Sequence, residues 1–207
     1  FCVSGRSWMS EIIVFIATMI GLLAGLLNLM RRKWLINVFG LAIQYLCIFI
    51  VFPKAEGISP ALIKIIVGLM STLIIYLTIL SSGAIRRDPF SLKFTAGELF
   101  RGLSGAFLIF LVFLVAPWLS REVFPQSSSS SLTLGLGLIL LGLLQLGAKT
   151  EPLYIIIGLL TFLSGFELLY GSLEFSTMLE ALFAIVNLLI AIAGAFFITK
   201  DLEPEKL

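Results

Sequence analysis

Read as apolar and polar positions, the chain is a series of long apolar runs broken by short clusters of charge, proline or serine. The runs cover roughly residues 11–30, 34–52, 59–80, 99–119, 132–148, 153–173 and 177–198. Each is close to the ~20 residues a helix needs to cross hydrocarbon. None alternates with the period of two that a transmembrane β-barrel requires, and helices and closed barrels are the only spanning solutions. The pattern therefore predicts an all-α, polytopic membrane protein with seven transmembrane helices. The connections are short except at 81–98 and 120–131.

Composition sharpens this reading. Hydrophobic residues make up 59% of the chain and charged residues 13%, with a mean hydropathy of +1.13. A soluble domain is about a quarter charged. The chain has no histidine, which removes His-ligated metals and haem as well as Ser–His and Cys–His catalysis. Two cysteines, Cys2 and Cys47, are too few for an iron–sulfur cluster or a disulfide framework, and Cys47 reads as a small buried hydrophobe. A net charge of +2 does not suggest nucleic acid. No cofactor, metal site or catalytic residue is expected.

The distribution of basic residues predicts the topology. With the N-terminus outside, Arg31, Arg32, Lys33, Arg86, Arg87, Lys93, Arg101, Lys149, Lys200 and Lys206 fall on the cytoplasmic side. Only Arg6, Lys54 and Arg121 fall outside, which is the bias the positive-inside rule describes. Trp8, Trp34 and Trp118 sit at span ends, as interfacial anchors do. The run "QSSSSS" (126–131) reads as a flexible outer linker. Met9 opens "MSEIIVF" directly ahead of the first run, so residues 1–10 read as an N-terminal extension, and 199–207 as a cytoplasmic tail.

The two halves resemble each other. "LAGLLNLMRRKWLINVFGLAIQYLCIFIV" lies over "LILLGLLQLGAKTEPLYIIIGLLTFLSGFELLY" with Gly40 opposite Gly158. Residues 11–80 and 132–198 then form two three-helix repeats of the same orientation. The helix at 99–119, within the segment 81–131, brings the chain back across between them. Such a 3+1+3 parallel repeat is used by transporters.

Few polar side chains interrupt the spans: Gln44, Lys64, Gln145, Glu167, Glu180 and Asn187. An ionisable group deep in the bilayer costs about 2.5–3.5 kcal/mol even on the lenient insertion scale, so it should face protein or water. Lys64, some five residues inside its span, either snorkels outward along its stem or meets a buried partner. Glu180, three residues inside the last span, either is solvated at the interface or sits favourably at a helix N-terminus. Glu167 lies roughly 9 Å from the outer end of its span at 1.5 Å per residue, too deep for a short side chain to snorkel. It must be neutral there or pair with a cation. A Lys64–Glu167 pair across the two halves, with Glu180 nearby, forms a charge-relay or ion-pair expectation. Gln44, Gln145 and Asn187 read as interhelical contacts.

The stretch from Leu134 to Ile198 resembles the three-helix K subunit of respiratory complex I and the C subunit of Mrp-type antiporters. The shared features are a span ending in "GLLQLGA", a short basic turn, and "PLYIIIGLL" opening the next span. Over most of its length the chain is similar to hydrogenase-4 component E, through "EALFAIVNLLIAI" and "ALIKIIVGLM". The resemblance implies a non-catalytic membrane subunit of a cation- or proton-translocating complex in a prokaryotic inner membrane. Its partners would be the lipid bilayer and larger antiporter-like or hydrogenase-like subunits. The chain departs from the K-subunit pattern where an acid follows "IGL": that place holds Leu160, and Glu167 comes seven residues later. A second acid aligns near Asn187, which does not titrate. The alternatives are a self-contained small-solute carrier, resembling the SWEET sugar transporters in span count, length and orientation but lacking the prolines those carriers hold inside their spans, or a structural membrane anchor.

Overall fold

The computed structural model describes the backbone of residues 4–31, 33–52, 58–81, 96–125, 127–173 and 177–202. Within these it describes the side chains except at 4–10, 58–60, 172–173, 177 and 201–202. Seven helices result: α1 (Ser4–Met30), α2 (Trp34–Val51), α3 (Ile58–Ser81), α4 (Ala96–Glu122), α5 (Ser129–Ala148), α6 (Pro152–Leu173) and α7 (Thr177–Leu202). All seven are long and apolar enough to cross a membrane. The chain is a multi-pass α-helical membrane protein.

The helix ends follow local chemistry. The α1–α2 turn is closed by Asn37, whose Nδ2 donates to the carbonyls of Arg31 (2.9 Å) and Lys33 (2.8 Å). Pro152 opens α6, a position where its missing N–H costs nothing. The serine run is not a free linker over its described part. Ser128 caps α5, accepting from the N–H of Ser131, and Ser129–Ser131 form the first helical turn. Ser127 is buried and its N–H bonds the Phe124 carbonyl at 3.0 Å. Serine favours this capping role because its hydroxyl satisfies an otherwise orphaned N–H. α4 also runs past both expected ends, from Ala96 through Pro117 to Glu122.

Consecutive helices α1 and α2, α2 and α3, α5 and α6, and α6 and α7 pack together, as do α1 with α5, α2 with α6 and α3 with α7. α4 lies across α1 and α5. α1 and α5 run parallel: Gly21 faces Leu134 and Gly25 faces Leu141. One apolar cluster gathers Leu22, Leu29, Ile48, Leu134, Leu138 and Leu168. A second gathers Leu41, Tyr45, Ile75, Ile157, Leu160 and Ile198. Cys47 is buried in the first.

Two hairpins use equivalent contacts. A Cβ on Gly40 would run into the Asn28 side chain, and one on Gly158 would lie 3.1 Å from Cγ of Gln145. α5 and α6 approach most closely. A Cβ on Gly142 would lie 2.6 Å from the backbone N of Phe162, and one on Gly165 would lie 2.7 Å from the carbonyl of Gly135. Small residues of this kind let membrane helices pack backbone to backbone.

Candidate functional site: a polar seam between the two helix triplets

Among the described residues, polar contacts between α1–α3 and α5–α7 fall in three layers. In the first, Lys64 on α3 places Nζ 3.6 Å from Oε1 of Glu180 on α7. The same ammonium donates to the backbone carbonyl of Glu167 on α6 at 3.3 Å and lies 3.5 Å from the centroid of the Phe52 ring. Lys64, Glu167 and Glu180 are only 9%, 5% and 8% exposed. Burial in protein therefore replaces both the snorkelling of Lys64 and the solvated interface position of Glu180.

The expected Lys64–Glu167 contact forms through the backbone oxygen of Glu167, while the direct ion pair of Lys64 is with Glu180. The Glu167 carboxylate remains within electrostatic reach of Lys64, Glu180 and Tyr45. Its Oε1 makes no hydrogen bond among the described residues.

The middle layer joins α2 to the second triplet. Tyr45 donates its hydroxyl to Oδ1 of Asn187 on α7 at 3.0 Å, and Gly68 on α3 leaves room for the Tyr45 ring. Thr161 on α6 donates to Oε1 of Gln44 at 3.1 Å. Gln44 and Asn187 are thus interhelical contacts across the seam. Gln145 acts within the second triplet, donating to the Tyr154 carbonyl at 2.9 Å.

The third layer, at the opposite end, centres on Lys149. Its Nζ donates to the carbonyls of Asn28 (2.5 Å) and Arg31 (2.9 Å) and approaches Oδ1 of Asn37 (3.4 Å). It also lies 4.3 Å from the Tyr154 ring centroid and is 2% exposed. The sequence places Lys149 among loop cations. In the structure it reaches across from the α5–α6 turn and caps the C-terminal end of α1, where orphaned carbonyls and the helix dipole favour a cation.

Sequence reading missed Tyr45, Thr161, Lys149, Asn28 and Asn37. The two asparagines carried a usable signal, since each interrupts an otherwise apolar stretch. Tyr45 and Thr161 carried none, because an isolated Tyr or Thr is common in membrane helices. Of the expected interfacial anchors, Trp34 packs on Tyr76 with ring centroids 6.3 Å apart and Trp118 is exposed. The side chains of Trp8 and Arg6, and residues Arg32, Lys54, Arg86, Arg87, Lys93 and Lys206, lie outside those described. Among the described residues no cluster of acids and cysteines is arranged to hold a metal.

Fold and site together define a multi-pass membrane protein with charged and polar groups buried between two three-helix groups. Comparison with protein-family models, curated proteins and solved structures returns no match for this chain. The seam's own geometry therefore carries its functional reading.

Proposed function

We propose that this chain is a non-catalytic membrane subunit of a cation- or proton-translocating assembly of the complex I, membrane-bound hydrogenase or Mrp antiporter type. The observation that carries this reading is the buried Glu180–Lys64–Glu167 group, drawn from three helices of both triplets. Two acids and one ammonium balance only with one further positive charge, a proton or a small monovalent cation. Exchange of that charge is the chemistry such a group offers in a low-dielectric setting.

Other features support the same reading. Asn28, Gln44 and Ser71 keep buried polar atoms without hydrogen bonds among the described residues. An inert core would replace them with Leu or Ala at a gain of about 1–3 kcal/mol for each unsatisfied group. The parallel packing of counterparts and the matched Gly40–Asn28 and Gly158–Gln145 contacts support a 3+1+3 repeat, with residues 11–80 and 132–198 as its units. Arg31, Lys33, Arg101, Lys149 and Lys200 at one set of helix ends, against Arg121 at the other, support a cytoplasmic C-terminus and an outer N-terminus in a prokaryotic inner membrane. The resemblance of residues 134–198 to K-type subunits fits the same picture. A self-contained small-solute carrier of the 3+1+3 class is the second reading, favoured by the side-by-side parallel repeats alone.

The test is affinity purification of the tagged chain from its host's membranes, followed by proton and sodium uptake into vesicles carrying Glu180→Gln or Glu167→Gln. Co-purification of large antiporter-like subunits and loss of cation uptake are expected. Unchanged cation uptake in both variants would reject the charge-exchange role.

A further inference from the structure

The three layers of the seam are evenly spaced along α2. Asn37 belongs to the Lys149 layer and Gln44 and Tyr45 to the middle layer, while the Phe52 ring lies under the Lys64 ammonium. Asn37 to Gln44 and Tyr45 to Phe52 are each seven residues, about 10 Å of helix. One water with a hydrogen bond on either side spans about 5–6 Å. A polar group partway across each gap therefore suffices to join the layers through water.

Buried polar atoms that make no hydrogen bond among the described residues fall at those places. In the first gap Asn28 on α1 lies against Gly40 of α2, fully buried, with both amide atoms unbonded. In the second gap Glu167 on α6 gives its backbone oxygen to Lys64. A helical Cβ leans toward the helix N-terminus, so the Glu167 carboxyl turns back toward the middle layer, within electrostatic reach of Tyr45. Its Oε1 is unbonded. The middle layer holds two more such atoms. Nε2 of Gln44 is unbonded beside Gly25. Ser71 on α3 lies seven residues past Lys64, as Asn187 on α7 lies seven past Glu180. These two helices pack together with Lys64 paired to Glu180, which sets Ser71 level with Asn187. Ser71 is fully buried and its Oγ is unbonded. A buried water characteristically bonds about three groups of this kind.

We propose that the seam binds a file of water molecules at Asn28, Gln44, Ser71 and Glu167, and that protons pass along it between the Lys149 end and the Glu167 carboxylate. Each hop breaks one O–H bond of a protonated water and forms one on the next, and the last hop protonates the carboxylate. The amides and hydroxyls hold the waters and undergo no net change. The hydrogen bonds of Tyr45 to Asn187 (3.0 Å) and Thr161 to Gln44 (3.1 Å) lie across the seam. They stand in the way of an ion that must move bodily but not of a proton, whose hops displace no oxygen. The proton's destination rests on the charge-exchange reading of the Glu180–Lys64–Glu167 group; the binding of water does not.

The first test exposes the purified full chain, in a neutral detergent, to brief X-ray pulses. These split bound water into hydroxyl radicals that label adjacent side chains, and mass spectrometry reads the labels. Tyr45 and Cys47 are similarly shielded, at 3% and 4% exposure, and a cysteine sulfur is the more reactive group. Tyr45, on the seam, should nevertheless be labelled, and Cys47, in the apolar cluster, spared. Gln44→Leu should reduce the Tyr45 label to the Cys47 level. Ser71→Ala removes a single oxygen and should lower the label even if the leucine variant does not fold. An unlabelled Tyr45, or a label indifferent to Ser71→Ala, would overturn the water file. The second test follows proton uptake into vesicles of the host's membranes, where Asn28→Leu should abolish uptake as Glu167→Gln does. Uptake lost with Glu167→Gln but retained with Asn28→Leu would overturn the path while leaving the charge-exchange reading intact. Uptake retained with Glu167→Gln would overturn delivery to that carboxylate, and the charge-exchange reading falls as well only if Glu180→Gln is equally silent.

Discussion

Removing the buried cation is the most direct trial of the outer charge layer. Lys64→Met keeps a stem of similar length over the Phe52 ring but deletes the ammonium 3.6 Å from Glu180. At that distance the attraction is about 4–5 kcal/mol for an effective dielectric near 20. Breaking a buried pair on one side leaves the other charge uncompensated, and the expected loss is about 3–5 kcal/mol. Equilibrium unfolding of the purified protein in mixed detergent micelles measures it.

The pairing itself is read by a double-mutant cycle. If Glu180 is the partner, Lys64→Met with Glu180→Gln should be more stable than the sum of the single effects predicts, by about 2–3 kcal/mol. The matching cycle with Glu167→Gln should show a smaller coupling, because Lys64 hydrogen-bonds the backbone oxygen of Glu167, which glutamine retains. Additivity within ~0.5 kcal/mol in the Glu180 cycle would refute the ion pair. A larger coupling to Glu167 would refute the assignment of partners.

Gly142→Ala should destabilise the protein by about 1–3 kcal/mol, since its Cβ would strike the backbone of α6 rather than a movable side chain. Gly147→Ala, with nothing within 4 Å, should instead stabilise by ~0.5–1 kcal/mol through helix propensity; the same unfolding assay separates the signs. Lys149→Met should cost about 2–4 kcal/mol by uncapping α1, with faster hydrogen exchange at Asn28–Met30 as the local readout. Tyr45→Phe should cost about 1 kcal/mol through the lost bond to Asn187. Pairing it with Asn187→Leu should recover part of that loss.

Helix number and boundaries were legible from the chain alone because spanning hydrocarbon imposes a length and a composition on each segment. Seven apolar runs had only one way to satisfy their backbone groups, and the described helices match them to within a few residues except at the start of α1, which begins at Ser4 inside the stretch read as an N-terminal extension. The depth of Glu167 and Lys64 could be counted along a helix. Gly40 and Gly158 each meet a polar side chain on the preceding helix, Asn28 and Gln145.

Partnership was not legible. Counting along a helix gives height but not azimuth, and whether Lys64 meets a carboxylate or a carbonyl depends on the rotation of α3 against both α6 and α7. The same limit hid Lys149. A lysine in a short turn reads as a surface charge, and only the parallel seating of α1 beside α5 brings the carbonyls of Asn28 and Arg31 within reach of its Nζ. Hydrophobicity thus decided what crosses the membrane. The packing of helices, set by glycines and side-chain shape between elements far apart in the chain, decided which buried polar groups meet.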